Sequence, residues 1–271
     1  MIFVKNLING ILDSLDMILV RKSSYEKLVS KANKFRDYEL SELIDQKFTD
    51  EYFHNLSFSR KKGSQLRQDL FVLSELGFKR NGYFVEFGAT NGINSSNTNL
   101  METKFGWNGI LAEPAKVWHS SLKKNRSVAI EMDCVWRATD ETLLFNEVYD
   151  KDAPANNTGG LSTIDSFSKA DHHYRTGRIG STKYYVKTIS LRDMLKKHNA
   201  PRKIDYLSID TEGSEYEILN AFNFGEYDIK VITCEHNYMP MREKIHALLS
   251  KNGYERKFSD FSLFDDWYVK R

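Results

Sequence analysis

The sequence predicts an α/β fold with a doubly wound, mostly parallel sheet that helices cover on both faces. Apolar runs of strand length alternate with helix-like runs after residue 62, and this alternation is typical of a parallel sheet. The last two strand-like runs, residues 254–258 and 266–270, are separated only by Ser259 to Asp265. Because so short a link joins antiparallel strands, we expect a seven-stranded sheet whose last strand is antiparallel.

Apolar periodicity places the other elements in chain order. A first helix begins at the cap residue Ser64 and has its apolar face at residues 66, 70 and 73. Strands are predicted at 83–87, 109–113, 127–132, 204–209 and 229–234. Helices are predicted at 95–104, 115–124, 191–198, 214–221 and 240–251.

The composition excludes several classes of protein. Of the 271 residues 28% are charged, which indicates a globular chain, and the net charge of +2 is too small to predict nucleic acid as a partner. Only Cys134 and Cys234 occur, so no disulfide framework is expected and a reducing, cytoplasmic location is the default. No apolar run is long enough to predict a spanning helix.

Residues 1–62 are predicted to form an N-terminal helical extension, and residues 63–271 the sheet domain. Apolar residues recur at helical spacing near the start, but Asp13 and Asp16 interrupt them, so a signal peptide is not expected. The stretch 21–36 is basic. Such a helix packs on its own domain, on a second copy in a homo-oligomer, or peripherally on an anionic membrane, and these alternatives stay open.

Residues 137–187 interrupt the alternation of strands and helices. This insertion is long for a connector and contains the turn-rich stretch 151–160. Segments of this kind are often lids or binding loops, so we expect it to close over a substrate, with His172 and His173 as candidate contacts.

The most informative feature is a pair of strand ends. A strand that contains Glu86 leads into a turn with Gly88 and Gly92, and the next strand ends in Glu113. Glycines let a backbone approach a ligand closely, and an acid at the second strand end can hold ribose hydroxyls. The pair therefore predicts a nucleoside cofactor.

The same turn favours one nucleoside cofactor over another. It lacks the Gly-x-Gly-x-x-Gly pattern, and no helix amides are arranged for a pyrophosphate, as a nicotinamide cofactor requires. Glu86 would repel a pyrophosphate but can attract an amino group or a sulfonium. The signs of these charges favour S-adenosylmethionine, which has no phosphate.

Several motifs together resemble the FkbM-type methyltransferases over about residues 64–271. They are Ser64-Gln-x-x-Gln68-Asp69, Val85-Glu86-Phe-Gly-Ala-Thr-Asn-Gly92, Ser96-Asn97-Thr98, Leu111-Ala-Glu-Pro114, Ile209-Asp210-Thr-Glu212-Gly213-Ser-Glu215 and Asp265-Asp266-Trp267-Tyr268-Val269. The resemblance implies a class I methyltransferase fold and an S-adenosylmethionine-dependent O-methyltransferase, often one that acts in the synthesis of glycans such as capsule polysaccharides or of secondary metabolites. Asn91 departs from it, because many relatives have aspartate there.

The resemblance also implies which residues bind the cofactor. These positions are Glu86, Gly88, Ala89, Gly92 and Glu113, and we expect Asn97, Pro114 and Asp133 to contribute as well.

A second group of acids follows the predicted strand 204–209. Asp210 comes directly after this strand, and Glu212 lies in the turn that leads into the next helix. Ligands bind at the carboxyl edge of open parallel sheets, so we expect both residues to be catalytic. The alternative is that acids at a helix start only complement its dipole, which suits Glu215 and Glu217 better.

The predicted strand 229–234 is followed by Glu235 and His236, and it should neighbour the strand that ends before Asp210. Asp210, Glu235 and His236 then form a candidate site for Mg²⁺, Mn²⁺ or Fe²⁺, similar in layout to the catechol O-methyltransferases. The alternatives are that His236 is a general base without a metal, or only a hydrogen-bonded residue at a strand end.

The sequence thus predicts a metal-assisted O-methyltransferase that acts on the hydroxyl of a nucleotide-linked or glycan-linked sugar. Two alternatives belong to other classes: a non-catalytic cofactor-binding partner subunit that works through its N-terminal helices, and a nicotinamide oxidoreductase.

Overall fold

The computed structural model describes residues 63–148, 160–170, 178 and 180–271. The predicted N-terminal extension, residues 1–62, lies outside this part of the chain, together with its expected contacts to a membrane or a second copy. His172 and His173 lie outside it as well. The domain boundary after residue 62 therefore stays a prediction.

The described chain contains six helices and eleven strands. Helices α1 to α6 span Gln68–Glu75, Asn99–Phe105, Lys116–Asn125, Leu191–Lys197, Glu215–Asn220 and Met241–Lys251. Strands β1 to β11 span Tyr83–Phe87, Asn108–Ala112, Ala129–Glu131, Cys134–Trp136, Thr142–Val148, Thr163–Ile164, Ser181–Ser190, Lys203–Ile209, Asp228–Glu235, Tyr254–Lys257 and Asp265–Lys270. The predicted elements are present, with ends shifted by a few residues.

The main sheet has seven strands in the order β10-β11-β9-β8-β1-β2-β3. Its pairs are parallel from β9 through β3, whereas β11 runs antiparallel to both of its neighbours, β9 and β10. The predicted class I methyltransferase fold, with its antiparallel last strand, is confirmed. The chain places β8 beside β9 with Ile209 opposite Cys234, so the polar residues that follow these two strands come together at one edge.

Strands of the main sheet are held by a continuous apolar core. Val85, Ile110, Leu207 and Ile232 are fully or almost fully buried and lie in the middle of β1, β2, β8 and β9. Parallel strands that are covered on both faces typically have nearly continuous apolar sequences. The carboxyl ends of the four strands are therefore fixed relative to one another. No helix in the described part of the chain is long and apolar enough to cross a membrane.

Helix α2 begins at Asn99, four residues after the predicted start at residue 95. The reason is that Ser96, Asn97 and Thr98 are bound in a non-helical loop by the Glu86 carboxylate. Side chains that compete for backbone groups in this way delay a helix start.

Strand β4 and the described residues of the insertion form a second sheet of four strands, in the order β4-β7-β5-β6, where a lid or binding loop was predicted. Strands β5 and β7 pair antiparallel along Thr142–Val148, and their inward side chains, including Phe145 and Val186, are buried. This alternation of inward and outward residues is a period-2 signal that the sequence analysis missed.

Candidate active site

A cavity of about 430 Å³ lies at the carboxyl edge of the main sheet. Residues following β1, β2, β8 and β9 line it, and residues 160–164 of the insertion form a further wall. Its charged lining among the described residues is entirely acidic and consists of Glu113, Asp210, Glu212 and Glu235. Because no lysine or arginine joins them in that lining, the cavity favours cations and disfavours phosphates.

The Glu86 carboxylate is bound by the loop that precedes α2. It accepts hydrogen bonds from Ser96 Oγ, from the Asn97 N–H and from Thr98 Oγ1, and it lies 3.8 Å from Arg126 Nη1. Burial raises the pKa of Glu86, and Arg126 opposes that shift. Glu86 is outside the lining of the cavity and fixes the loop before α2, because its bonding capacity is used there.

The two glycines of the turn are needed for packing. A Cβ on Gly88, at φ 73°, would lie 2.0 Å from the Asp210 carbonyl oxygen, so the β1 turn contacts the β8 turn directly. A Cβ on Gly92, at φ 77°, would lie 2.5 Å from Arg126 Cγ and 2.7 Å from Leu122 Cδ1. Gly88 lines the cavity and Gly92 does not, so the predicted close approach to a ligand applies to Gly88 alone.

Glu113 lines the cavity where the sequence placed it, after β2. Its Oε2 accepts the Thr90 N–H at 2.8 Å, and its Oε1 accepts the Ala115 N–H at 2.8 Å. Burial raises the pKa of Glu113 to about 7, although these two N–H groups oppose the shift. Next to it the wall is apolar, with Trp118, Cys134 and Val135. An acid beside an apolar wall suits a nucleoside, whose hydroxyls and flat base need these two surfaces.

Of the remaining residues predicted to bind the cofactor, one lines the cavity and three do not. Pro114 lines the cavity. Ala89 is buried and its N–H donates to the Ala112 carbonyl in the turn, and Asn97 is buried and donates to Ser208 Oγ. Asp133 is 39% exposed and lies 3.8 Å from Lys197. The structure therefore does not bring Ala89, Asn97 or Asp133 into the lining of the cavity.

Asp210, Glu212 and Glu235 form one acid cluster, each offering an oxygen atom within 4.8 Å of the others. Burial raises the pKa of Asp210 to about 7, and the charges of Glu215 and Glu86 act in the same direction. Burial and the charge of Asp210 raise the pKa of Glu235 well above its usual range. The Asp210 and Glu235 carboxyls are hydrogen bonded to each other, so the pair retains a proton near neutral pH.

Two donors hold the acid cluster in place. Arg178 Nη2, from the insertion, lies 2.9 Å from Glu212 Oε2. The Asn237 amide donates to Glu235 Oε2 at 2.8 Å and to Glu212 Oε2 at 3.3 Å. Glu212 and Asn237 also have positive φ values of 58° and 44°, and such strained residues concentrate at functional sites.

His236 lies apart from the acid cluster. It is 4% exposed and does not line the main cavity. Its Nδ1 accepts the Tyr238 N–H at 3.0 Å, and its Nε2 lies 3.8 Å from Asp266 Oδ1. Burial lowers the pKa of His236, so the ring is neutral at pH 7. The oxygen cluster thus excludes His236, because β9 directs Glu235 toward Asp210 and the next side chain away from it.

Several residues that line the cavity or contact its acids were not assigned to the site from the sequence, among them Arg178, Asn237, Gln65 and Tyr238. Gln65 lies within one of the family motifs, and Asn237 lies two residues after Glu235. The local sequence could therefore have indicated both as site residues. Arg178 and Tyr238 had no such signal, because their positions depend on how the insertion and the loop after β9 fold.

Comparison with known proteins identifies the family. Among solved structures, a precorrin-6y C5,15-methyltransferase from Geobacter metallireducens GS-15 is similar at 11% identity, with a TM-score of 0.37 over 74% of this chain and 85% of its own. A protein described as a sarcosine dimethylglycine methyltransferase from Galdieria sulphuraria is similar at 10% identity, with a TM-score of 0.31 over 71% of this chain and 63% of its own. No curated protein matches the chain significantly. Residues 86–256, more than half of the chain, match the methyltransferase FkbM domain, and the chain therefore belongs to this family of S-adenosylmethionine-dependent methyltransferases.

Proposed function

We propose that the protein is an O-methyltransferase that uses S-adenosylmethionine to methylate a sugar hydroxyl with the help of a divalent cation. One observation carries the proposal: the described charged lining of the cavity is entirely acidic, and three of its acids, Asp210, Glu212 and Glu235, converge on one point. Such a cavity attracts both a sulfonium and a metal ion.

The cavity fits the cofactor. Its volume of about 430 Å³ lies within the range of small-ligand sites, roughly 300–1,000 Å³. Glu113 would hold ribose hydroxyls, Trp118 and Val135 would contact the base, and Gly88 would lie beside the amino acid part. When bound, S-adenosylmethionine supplies a methyl group on a sulfonium, which leaves as a neutral thioether when the methyl–oxygen bond forms.

The acid cluster fits a hard divalent cation such as Mg²⁺ or Mn²⁺. Carboxylate oxygens are the ligands that these ions prefer, and Asp210, Glu212 and Glu235 offer oxygens close enough to share one ion. A bound cation would supply positive charge that lowers the pKa of an alcohol beside it. The charge of the ion would also reduce the repulsion among the three acids. In the described part of the chain, Arg178 is the cation that contacts the cluster, through Glu212.

The protein's own residues orient the acceptor and accept its proton. Asn237 and Arg178 hold Glu235 and Glu212, so the acids are fixed before a substrate arrives. Each carboxylate offers one oxygen to the ion, so the second oxygen of Asp210 can accept the hydroxyl proton. The buried apolar wall at Val135 and Phe145 limits the access of water.

A sugar acceptor suits the rest of the lining. Amides and aromatic rings line the cavity outside the acid cluster, among them Gln65, Asn91, Asn94, Asn237, Tyr238 and Phe264. Amides donate and accept hydrogen bonds with hydroxyls, and aromatic rings cover apolar ring faces. A nucleotide-linked acceptor would need its pyrophosphate outside the acidic part of the cavity, so glycan-linked sugars are favoured.

Radiolabelled methyl transfer to a panel of free sugars, glycosides and nucleotide sugars tests the proposal. Chelation should abolish transfer, and added Mg²⁺ or Mn²⁺ should restore it. If no sugar is methylated, the acceptor class is wrong. If transfer is the same with and without a chelator, the proposed role of a divalent cation is wrong.

A metal-independent mechanism is the second candidate, and the raised pKa of Asp210, at about 7, favours it. In that mechanism Asp210, paired with Glu235, is the general base. From the sequence this role was predicted for His236, which lies outside the lining of the cavity. Activity that survives chelation but is lost in Asp210→Asn would support this mechanism.

A further inference from the structure

Tyr238 is an unusually exposed aromatic residue in the lining of the cavity. Three large hydrophobic side chains in the described part of the chain are exposed: Tyr185 at 72%, Tyr238 at 62% and Leu263 at 38%. Of these three, only Tyr238 lines the cavity. An aromatic ring left exposed beside a ligand cavity is a surface available for contact with a ligand.

The chain holds Tyr238 in place through a strained turn. Asn237 and Tyr238 both have positive φ values, 44° and 57°, which are unfavourable for residues with a side chain. The N–H groups of His236 and Asn237 both donate to the Phe264 carbonyl, and the Tyr238 N–H donates to His236 Nδ1. The His236 and Tyr238 rings are also in edge-to-face contact at 5.5 Å. These contacts with the buried histidine hold Tyr238 beside the cavity.

Gln65 is the exposed residue of an otherwise anchored segment. Its neighbours Ser64 and Leu66 are buried, and Ser64 Oγ donates to Asp69 Oδ1 at 2.6 Å. Gln68 links the segment to β11, because its Oε1 accepts the Leu66 N–H and its Nε2 donates to Asp265 Oδ2. The Gln65 amide is thus presented to the cavity from a fixed backbone.

The two features belong to one hydrogen-bonded unit. Gln68 contacts Asp265, the carbonyl of its neighbour Phe264 accepts the N–H groups of the turn that carries Tyr238, and Phe264 itself lines the cavity. This unit adjoins the acid cluster through Asn237, whose amide contacts two of the acids. It therefore lies on the side where a hydroxyl would lose its proton.

We propose that Tyr238 and Gln65 form the acceptor subsite, in which the Tyr238 ring stacks on the apolar face of a pyranose ring and the Gln65 amide binds its hydroxyls. The proposal rests on the proposed sugar methylation. It assigns the acceptor to the β9 and β11 side of the cavity, and the cofactor to the β1 and β2 side.

The test compares Tyr238→Ala, Tyr238→Phe and Gln65→Ala with the unchanged chain. Its control is Tyr185→Ala, which removes the other exposed tyrosine, in β7 and outside the lining of the cavity. Two quantities are measured: the KM for the best sugar of the panel, and the Kd of S-adenosylhomocysteine by calorimetry. We expect Tyr238→Ala to raise the acceptor KM about tenfold and Gln65→Ala about fivefold, with Tyr238→Phe near the unchanged value.

The Kd of S-adenosylhomocysteine should stay within twofold in all variants, and Tyr185→Ala should change neither quantity. An unchanged acceptor KM in Tyr238→Ala and Gln65→Ala would overturn this proposal alone. A cofactor Kd raised by the same factor would do so too, because the residues would then belong to the cofactor side. If the protein without any substitution methylates no sugar, the proposed function is overturned, and the proposed subsite with it.

Discussion

Glu86 and Asp210 lie at the ends of two neighbouring parallel strands, β1 and β8, yet their surroundings differ. Glu86 accepts hydrogen bonds from a hydroxyl, a backbone N–H and a second hydroxyl, with Arg126 nearby. Asp210 instead shares a proton with Glu235 and faces further acids. An acid that its own chain satisfies fixes a loop, whereas an acid packed against other acids needs a proton or a cation from outside.

The largest effect expected from this comparison is on activity. Asp210→Asn removes a charge that other acids repel, so we expect kcat/KM to fall about 100-fold or more while the melting temperature does not fall. Methyl transfer and thermal melting are measured together, with Glu243→Gln on the exposed side of α6 as the control. A lower melting temperature in Asp210→Asn would show that the acid stabilises the fold, as Glu86 does.

Gly88→Ala tests the contact between the two strand ends. The added Cβ would lie 2.0 Å from the Asp210 carbonyl oxygen at a positive φ, so we expect a loss of about 3 kcal/mol in the free energy of unfolding. Gly77→Ala is the matched control, because Gly77 also has a positive φ but no atom within 4 Å of its Cβ position. Its loss should be about 1 kcal/mol. Equal losses in urea unfolding would rule out the steric contact.

Glu86→Ala should destabilise the fold by about 2–3 kcal/mol, because it leaves the Ser96, Asn97 and Thr98 donors buried without their acceptor. Glu86→Gln keeps an acceptor oxygen and should lose less. Urea unfolding gives the stability, and calorimetry gives the affinity for S-adenosylhomocysteine. Full stability combined with weakened cofactor binding would restore the role that the sequence predicted for Glu86.

An effect of comparable size is expected on the pH dependence of stability. The folded-state pKa of Asp210, about 7, lies above its ordinary value of 3.8, so folding favours the protonated form. This contribution is fully present below about pH 4 and is lost as the pH rises through about 7. Asp210→Asn should therefore lose less stability than the unchanged chain between pH 5 and pH 8 in urea unfolding. Parallel curves would show that Asp210 titrates normally.

The sequence predicted the strands and their neighbours well because apolar runs and chain order dictate a parallel sheet. Glu113 was placed correctly in the cavity, since a residue that follows a buried strand must lie at the carboxyl edge. Asp210 and Glu235 were likewise expected to meet, because β8 and β9 are adjacent, but the third member of the cluster is Glu212 and not the predicted His236. Periodicity does not reveal the direction of side chains in loops, so His236 was assigned to the cavity and Tyr238 was not.

The sequence by itself determined the family, the seven-stranded sheet and the edge at which the acids gather, because these follow from local patterns and strand order. The tertiary structure decided which acids are satisfied internally and which face the cavity. It turned the Glu86 carboxylate toward the loop before α2, turned His236 toward Asp266 and brought Arg178 of the insertion to Glu212. These outcomes depend on contacts between segments far apart in the chain, and only packing fixes them.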